Sequence, residues 1–161
     1  MAVHSFLIFD RKGRTLFAKR YAKADANAVL MDEAALEEQR KLVFGMLFSL
    51  REVVYLLSPI SEEDGSAAPE SETALHSVQT GASTIHNFET NSGLRVAVYM
   101  TTPSSPVEGA SIRSALEHIY TELWVQCVIR SPLYRPTEPN IPATNFEQKL
   151  DDYLVSQAWF R

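Results

Sequence analysis

Apolar residues on both faces of a short N-terminal segment indicate the first element of the fold. Val3 to Phe9 is apolar at most positions on either side, as expected for a central strand covered on two faces. The turn residues Asp10 to Gly13 lead into a return strand from Arg14 to Tyr21. The pattern therefore predicts a β-hairpin.

A long apolar helix is expected near Leu36 to Leu57, after a linker at 22–31. It ends before Pro59, which disfavours helical geometry at Ser58. At 100° per residue, the face expected to pack on a sheet comprises five aliphatic side chains: Val43, Leu47, Leu50, Val54 and Leu57. A helix within one small domain needs only one such stripe.

This helix has more apolar surface than one sheet can cover. Phe44, Phe48 and Tyr55 lie about 100–140° from the core direction, and Gly45 and Ser49 lie nearly opposite it. Gly45 costs about 1 kcal/mol relative to alanine, so we expect a close backbone approach there. The predicted protein-binding flank is Phe44, Gly45, Phe48, Ser49, Arg51 and Tyr55. The alternative is that the C-terminal helices cover the aromatic side chains within the domain.

Three further strands and two further helices are expected. The strands are 74–79, 83–89 and 94–100, with a tight turn at 90–93. A second helix runs from about Ala110 to Arg130, with an apolar face of Ile112, Leu116, Ile119, Leu123 and Cys127.

A short last helix follows a capping box at Thr144–Glu147, with Phe146, Leu150, Tyr153 and Leu154 facing inward. Packing of this helix is the expected role of Trp159 and Phe160. The order ββαβββαα predicts an α+β fold in which a five-stranded antiparallel sheet carries helices on its faces.

Composition favours one globular domain spanning residues 1–161. The chain is 45% hydrophobic and has a single cysteine, as expected in a reducing compartment. No leader segment or apolar run of about 20 residues is visible, so a soluble, cytoplasmic protein is expected.

The net charge of −5 comes from one segment. Five acids lie between Glu62 and Glu72, and residues 61–73 are predicted to form a mobile acidic loop. The other 15 acids balance 15 bases, which argues against nucleic-acid binding and against recruitment to anionic lipid by this chain alone.

No residue pattern predicts catalysis, a metal or a cofactor. His4, His76, His86 and His118 lack ligand spacing, and Cys127 lies on an apolar helix face. Standard phosphate-binding loops are also missing from the sequence. We therefore expect a non-enzymatic protein with no cofactor and no metal.

Four stretches resemble the smallest core subunits of the TRAPP (transport protein particle) complexes. They are Val3–Gly13, Gly45–Arg51, Glu89–Arg95 and the residues from His118–Tyr120 to Ser131–Leu133. The resemblance covers nearly the whole chain, and Gly45–Arg51 is its most specific part. These subunits have the longin (sedlin-like) fold, which agrees with the order ββαβββαα.

The resemblance implies a non-catalytic subunit of a guanine-nucleotide exchange factor and tethering complex. Such a subunit pairs with a second longin subunit between Bet-three-type subunits. The longin pair forms a platform for a Rab GTPase in ER-to-Golgi and Golgi vesicle traffic. The resemblance also implies a cytoplasmic protein that reaches Golgi and ER-derived membranes only through the complex.

Two other readings stay open. The first is a small, sigma-like chain of a clathrin-type adaptor complex, which would bind cargo sorting peptides. The second is a small-molecule enzyme or sensor on a profilin-like sheet, although the sequence lacks the convergent titratable groups that this requires.

Overall fold

The computed structural model describes residues 3–21, 32–57, 74–102, 106–137 and 145–160. In chain order the elements are β1 (Val3–Phe9), β2 (Thr15–Arg20), α1 (Glu33–Leu57), β3 (Ser77–Thr80), β4 (Ser83–Glu89), β5 (Arg95–Thr101), α2 (Pro106–His118), a π-helical segment (Ile119–Ile129) and α3 (Phe146–Ser156). The predicted order is confirmed. The expected linker at 22–31 and the acidic loop at 61–73 lie outside the described residues.

The strands form one antiparallel sheet in the order β2-β1-β5-β4-β3. The centre of this sheet is the pair β1–β5, in which Leu7 is opposite Ala97 and Ile8 is opposite Val96. All four side chains are at most 9% exposed. The prediction that the first strand is covered on both faces is therefore confirmed.

Tight turns close both central hairpins at the same end of the sheet. Asp10 Oδ1 accepts hydrogen bonds from the backbone N–H groups of Lys12 and Arg14, at 2.8 and 2.9 Å. In the second hairpin, the hydroxyl of Thr90 accepts from the backbone N–H of Leu94 at 3.1 Å. Gly13 and Gly93 have φ of +84° and +82°, a region that L side chains rarely adopt.

The main core lies between one face of the sheet and the C-terminal elements. Phe6 and Ile8 of β1 meet α2, the π-helical segment and α3 there. Trp124 and Phe146 contact edge to face, with their ring centroids 5.2 Å apart. Trp159 is buried and the ring of Phe160 packs on Tyr21, so the expected packing role of both residues is confirmed.

The π-helical segment changes which side chains face this core. A π-helix has wider turns than an α-helix, so its inward positions recur about every fifth residue. Ile119 and Trp124 are both fully buried, whereas Leu123 and Cys127, predicted on the core face, are only half-buried. At the end of the segment the backbone N–H of Arg130 donates to the carbonyl of Val125, five residues earlier.

Ion pairs attach α3 to the edge strand β2. Lys19 Nζ lies 2.7 Å from Glu147 Oε1 and 2.6 Å from Asp151 Oδ2. The hydroxyl of Tyr21 donates to Asp151 Oδ1 at 2.8 Å. Thr144 of the predicted capping box lies outside the described residues, and Asn145, which precedes α3, makes no side-chain cap hydrogen bond.

The other face of the sheet carries α1 and a smaller core. Its buried members are Leu7, Phe9, Leu47, Ile85 and Ala97. Of the 25 residues of α1, Leu47 alone is fully buried. The predicted sheet-facing stripe is wrong at Leu57, which is 78% exposed, and Val43, Leu50 and Val54 are only half-buried.

A buried histidine makes the stability of this fold dependent on pH. His86 on β4 is 5% exposed, and its Nε2 has no hydrogen-bond partner among the described residues. Burial, together with the positive charge of Arg113, lowers the pKa of His86 from its ordinary value of 6.5. The unfolded chain therefore binds a proton at a pH where the folded chain does not.

We expect the free energy of unfolding to fall as the pH is lowered from about 7 to about 5, because His86 accepts a proton more readily when unfolded. His86→Gln should flatten this dependence, measured by urea denaturation at several pH values. The control is His118→Gln, at an exposed position. Equal slopes for His86→Gln and the unchanged chain would contradict the assignment.

Candidate protein-interaction surface

Helix α1 exposes large apolar side chains along its length. Those between 46% and 78% exposed are Leu42, Phe48, Val53, Tyr55, Leu56 and Leu57. A soluble helix ordinarily turns one such stripe inward and leaves the rest polar. Exposed apolar surface of this extent makes α1 the candidate interaction surface of the molecule.

The N-terminal half of α1 stands away from the sheet. A cavity of about 700 Å³ lies between them, lined by Leu7 and Tyr99 on the sheet and by Leu36 and Met46 on the helix. The helix is thus held to the sheet mainly through its central turns, around Leu47.

An aromatic stack makes that central attachment. The ring of Phe44 lies 5.6 Å from the ring of Phe9 on β1, and the ring of Phe48 stacks on Phe44 at 6.2 Å. The guanidinium carbon of Arg95 lies 4.9 Å from the centroid of Phe44 and 5.3 Å from that of Phe48. Cation–π contacts of desolvated groups contribute about 2 kcal/mol.

Arg95 is a buried charge at the base of this stack. It is 3% exposed, and its Nη2 lies 3.3 Å from Glu89 Oε1. Arg51 of α1 shares the same carboxylate, with its Nε 3.3 Å from Glu89 Oε2. Nη1 of Arg95 has no hydrogen-bond partner in the described part of the chain. Glu89 is therefore shared by two guanidinium groups, and Arg51 also lies 3.9 Å from Glu52.

The two hairpin turns adjoin this stack. A Cβ added at Gly13 would lie 2.9 Å from the ring of Phe44, and one added at Gly93 would lie 2.8 Å from Cβ of Arg11. Glycine at both positions thus lets the turns approach each other and the helix. These contacts place the end of the sheet against the middle of α1.

The structure brings three of the six predicted interface residues together. Phe44, Phe48 and Arg51 all belong to the network around Arg95. Phe44 is half-buried against the sheet, whereas Phe48 remains 46% exposed. The C-terminal helices pack on the opposite face of the sheet and do not cover these rings.

The other three predicted residues lie apart from that network. Gly45 is exposed, with no atom within 4 Å of the position of an added Cβ, and Ser49 donates to the Gly45 carbonyl at 2.9 Å. Tyr55 is 64% exposed near the end of the helix. A contact between any of the six residues and a partner stays a prediction.

Sequence reasoning missed Arg95, Glu89 and the second apolar flank of α1. Leu42 and Val53, on that flank, lie about 120–140° around the helix from Phe48. Alternation along β5 puts Arg95 on the same face as Ala97 and Tyr99, which could have indicated a charge beneath the helix. Its aromatic partners depend on the tertiary packing of α1.

The described residues include no group of three or more His, Cys, Asp or Glu side chains arranged to hold a metal ion. Within the same ranges, no helix combines the length and the apolar character needed to cross a membrane.

Comparison with known proteins gives a family and several full-length relatives. The profile of the Sybindin-like family matches residues 3–157. Trafficking protein particle complex subunit 1 of Homo sapiens is 31% identical over 160 residues, covering 99% of this chain and 97% of that protein. Transport protein particle subunit bet5 of Schizosaccharomyces pombe is 28% identical over 146 residues, covering 87% of this chain and 84% of that protein.

Gly45→Ala should stabilise the isolated chain by about 1 kcal/mol, because alanine favours a helix interior and the added Cβ meets no atom. For a domain of this length the melting temperature should rise by about 2–4 °C. The control is Gly109→Ala in α2, where an added Cβ also meets nothing within 4 Å. Destabilisation by Gly45→Ala alone would show that this position is packed within the chain.

Proposed function

Because the chain belongs to the Sybindin-like family, we propose that it is a core subunit of the trafficking protein particle complex named in its relatives. In this proposal its 161 residues form a single longin domain. The subunit carries no catalytic group of its own and contributes to a guanine-nucleotide exchange factor for a Rab GTPase. That complex would act in ER-to-Golgi and Golgi vesicle traffic.

The observation that carries the proposal is the exposure of α1. Only one of its 25 residues is buried, while six large apolar side chains are at least 46% exposed. Covering such a surface with a second protein removes apolar area from water, at about 25 cal/mol per Å². In a permanent assembly this burial stabilises the complex, whereas in a free monomer the same apolar surface stays exposed to water.

We assign the α1 flank of Phe44, Gly45, Phe48, Ser49, Arg51 and Tyr55 to contacts with a second longin subunit or the GTPase. Exposed aromatic and arginine side chains are the residue types that dominate binding energy at protein interfaces. Gly45, with open space above it, would allow a partner backbone to approach closely.

The remaining partners in this proposal are Bet-three-type subunits that flank the longin pair. Membrane contact would be indirect, with the complex resting on Golgi and ER-derived membranes from the cytoplasmic side. Neither nucleic acid nor a cofactor has a role in the proposed activity.

Nucleotide release from the Rab is the test of this function. A core complex isolated through a tag on this chain should accelerate nucleotide release from the Rab more than the same core reconstituted without the chain does. The chain alone should have no effect, because the platform needs its partners. Equal release with and without the chain would overturn the exchange role, and co-purification of large adaptor chains would favour the sorting-peptide alternative.

Phe48→Ser combined with Tyr55→Ser should leave a folded monomer that no longer binds its longin partner. Both side chains are at least 46% exposed, so we expect the loss in the free energy of unfolding to stay near about 1–2 kcal/mol. Binding is measured by co-purification, and folding by thermal denaturation.

The matched control is Leu133→Ser combined with Val155→Ser, which changes two exposed apolar residues outside α1. This variant should retain the partner that the α1 variant loses. Unfolding of the α1 variant would instead identify Phe48 and Tyr55 as part of the core.

A further inference from the structure

The end of the sheet beside Phe48 carries more basic than acidic side chains. The bases on the two turns, their flanking positions and the adjoining turn of α1 are Arg11, Lys12, Arg14, Arg51 and Arg95. The acids on the same segments are Asp10, Glu52 and Glu89. This excess of positive charge is local, since the whole chain has a net charge of −5.

Internal ion pairs use all three carboxylates. Asp10 Oδ2 lies 2.7 Å from Nε of Arg14. Arg14 also donates to the backbone carbonyls of Pro136 and Thr137, at 3.0 and 3.4 Å, so its guanidinium is engaged within the chain. Glu52 makes a longer ion pair, with its Oε1 3.9 Å from Nη1 of Arg51. No acidic side chain of these segments is left to pair with the bases at the tip of the β1–β2 turn.

Two bases at the tip of the β1–β2 turn are left without a carboxylate partner. Arg11 and Lys12 are both exposed, and neither makes an ion pair with a described residue. A Cβ added at Gly13 would lie 2.9 Å from the ring of Phe44, so the turn that carries the two bases approaches the aromatic stack closely. The turn that carries both bases therefore lies against Phe44, the ring on which the exposed Phe48 stacks.

A second, independent observation lies beneath Phe48. Nη1 of the buried Arg95 has no hydrogen-bond partner among the described residues, although the large majority of buried polar atoms in folded proteins have one. Among the described residues Glu89 is the ion-pair partner of Arg95, and Arg95 shares this carboxylate with Arg51. Beneath Phe48 there is thus a buried guanidinium with one unmatched hydrogen-bond donor.

We propose that this basic corner, formed by Arg11, Lys12, Phe48 and Arg51, binds an acidic segment of a partner protein. Carboxylates of that segment pair with Arg11, Lys12 and the free side of Arg51, and an apolar side chain next to them covers Phe48. The inference rests on the proposed function, since it treats this flank of α1 as a protein interface, and it adds the chemistry of the bound segment.

The test is a double charge reversal, Arg11→Glu with Lys12→Glu, in the full chain. The binding partner in this test is the set of other subunits that co-purify with the unchanged chain. These subunits are immobilised, and the association of each variant with them is followed over time. We expect the association rate constant to fall about 10-fold at about 0.1 M salt, because complementary charge accelerates encounter. The difference should shrink strongly at about 1 M salt, where the Debye length is about 3 Å.

The matched control reverses two exposed bases elsewhere, Arg20→Glu on β2 with Lys149→Glu on α3. It changes the net charge equally and should leave the association rate within about 2-fold of the original. Equal slowing by both variants would overturn the inference, since the effect would then reflect net charge alone.

Crosslinking gives a second readout that does not depend on the charge variant. A photoreactive side chain at position 12 in the assembled complex should attach to a partner peptide that contains Asp or Glu. Attachment to a peptide without acidic residues would overturn the inference. Binding to phosphatidylserine vesicles is measured as well. If the unchanged chain binds the vesicles and the Arg11/Lys12 variant does not, while both associate with the partner protein at the same rate, the inference is overturned and the ligand is a lipid surface.

Different results would refute the proposed function and the acidic-segment inference. Failure to recover any complex with the unchanged chain would refute the proposed function. Recovery of that complex, together with unaltered association of the Arg11/Lys12 variant, would refute the acidic-segment inference alone.

Discussion

The pairing of β1 with β5 is the constraint on which the rest of the structure depends. Both strands are apolar on their two faces, so each face of the sheet must be covered before the pair is shielded from water. One face receives α2, the π-helical segment and α3, and its side chains are almost fully buried. The other receives α1, which seals the sheet around Leu47 and leaves a cavity further along.

This asymmetry divides the molecule into a well-buried half and a half with exposed apolar side chains. The C-terminal elements are attached to the sheet by the aromatic contact of Phe146 with Phe17 and by the ion pairs that join Lys19 to α3. Helix α1 is attached through the rings of Phe44 and Phe48 and through the buried charge of Arg95. A partner that covers α1 would complete the second layer of the domain as well as bind to it.

Local sequence signals predicted most of the fold. Alternation and turn residues located the five strands, since strand faces and tight turns are set by neighbouring residues. The same reasoning placed Leu123 and Cys127 inward because it assumed α-helical winding throughout. The π-helical segment, whose wider turns no local pattern revealed, puts Trp124 and Val128 in the core and leaves Leu123 and Cys127 packed at its edge.

The candidate surface was predicted only in part for a comparable reason. Helical geometry found Phe44 and Phe48 without reference to any other element. The position of Arg95 beneath them depends on how α1 crosses the sheet, and so does the exposure of Leu57. These properties belong to tertiary packing, which single-helix geometry does not contain.

The order of the strands also has a consequence for the time at which the sheet can form. Ile8 pairs with Val96, so the two central strands are separated by most of the first two-thirds of the chain. Contacts between such distant residues close slowly, because the loop entropy must be lost before they stabilise anything. During synthesis α1 therefore emerges from the ribosome well before the strand that completes its binding face. Throughout that interval its apolar side chains stay exposed, a condition that makes partly folded chains prone to aggregation.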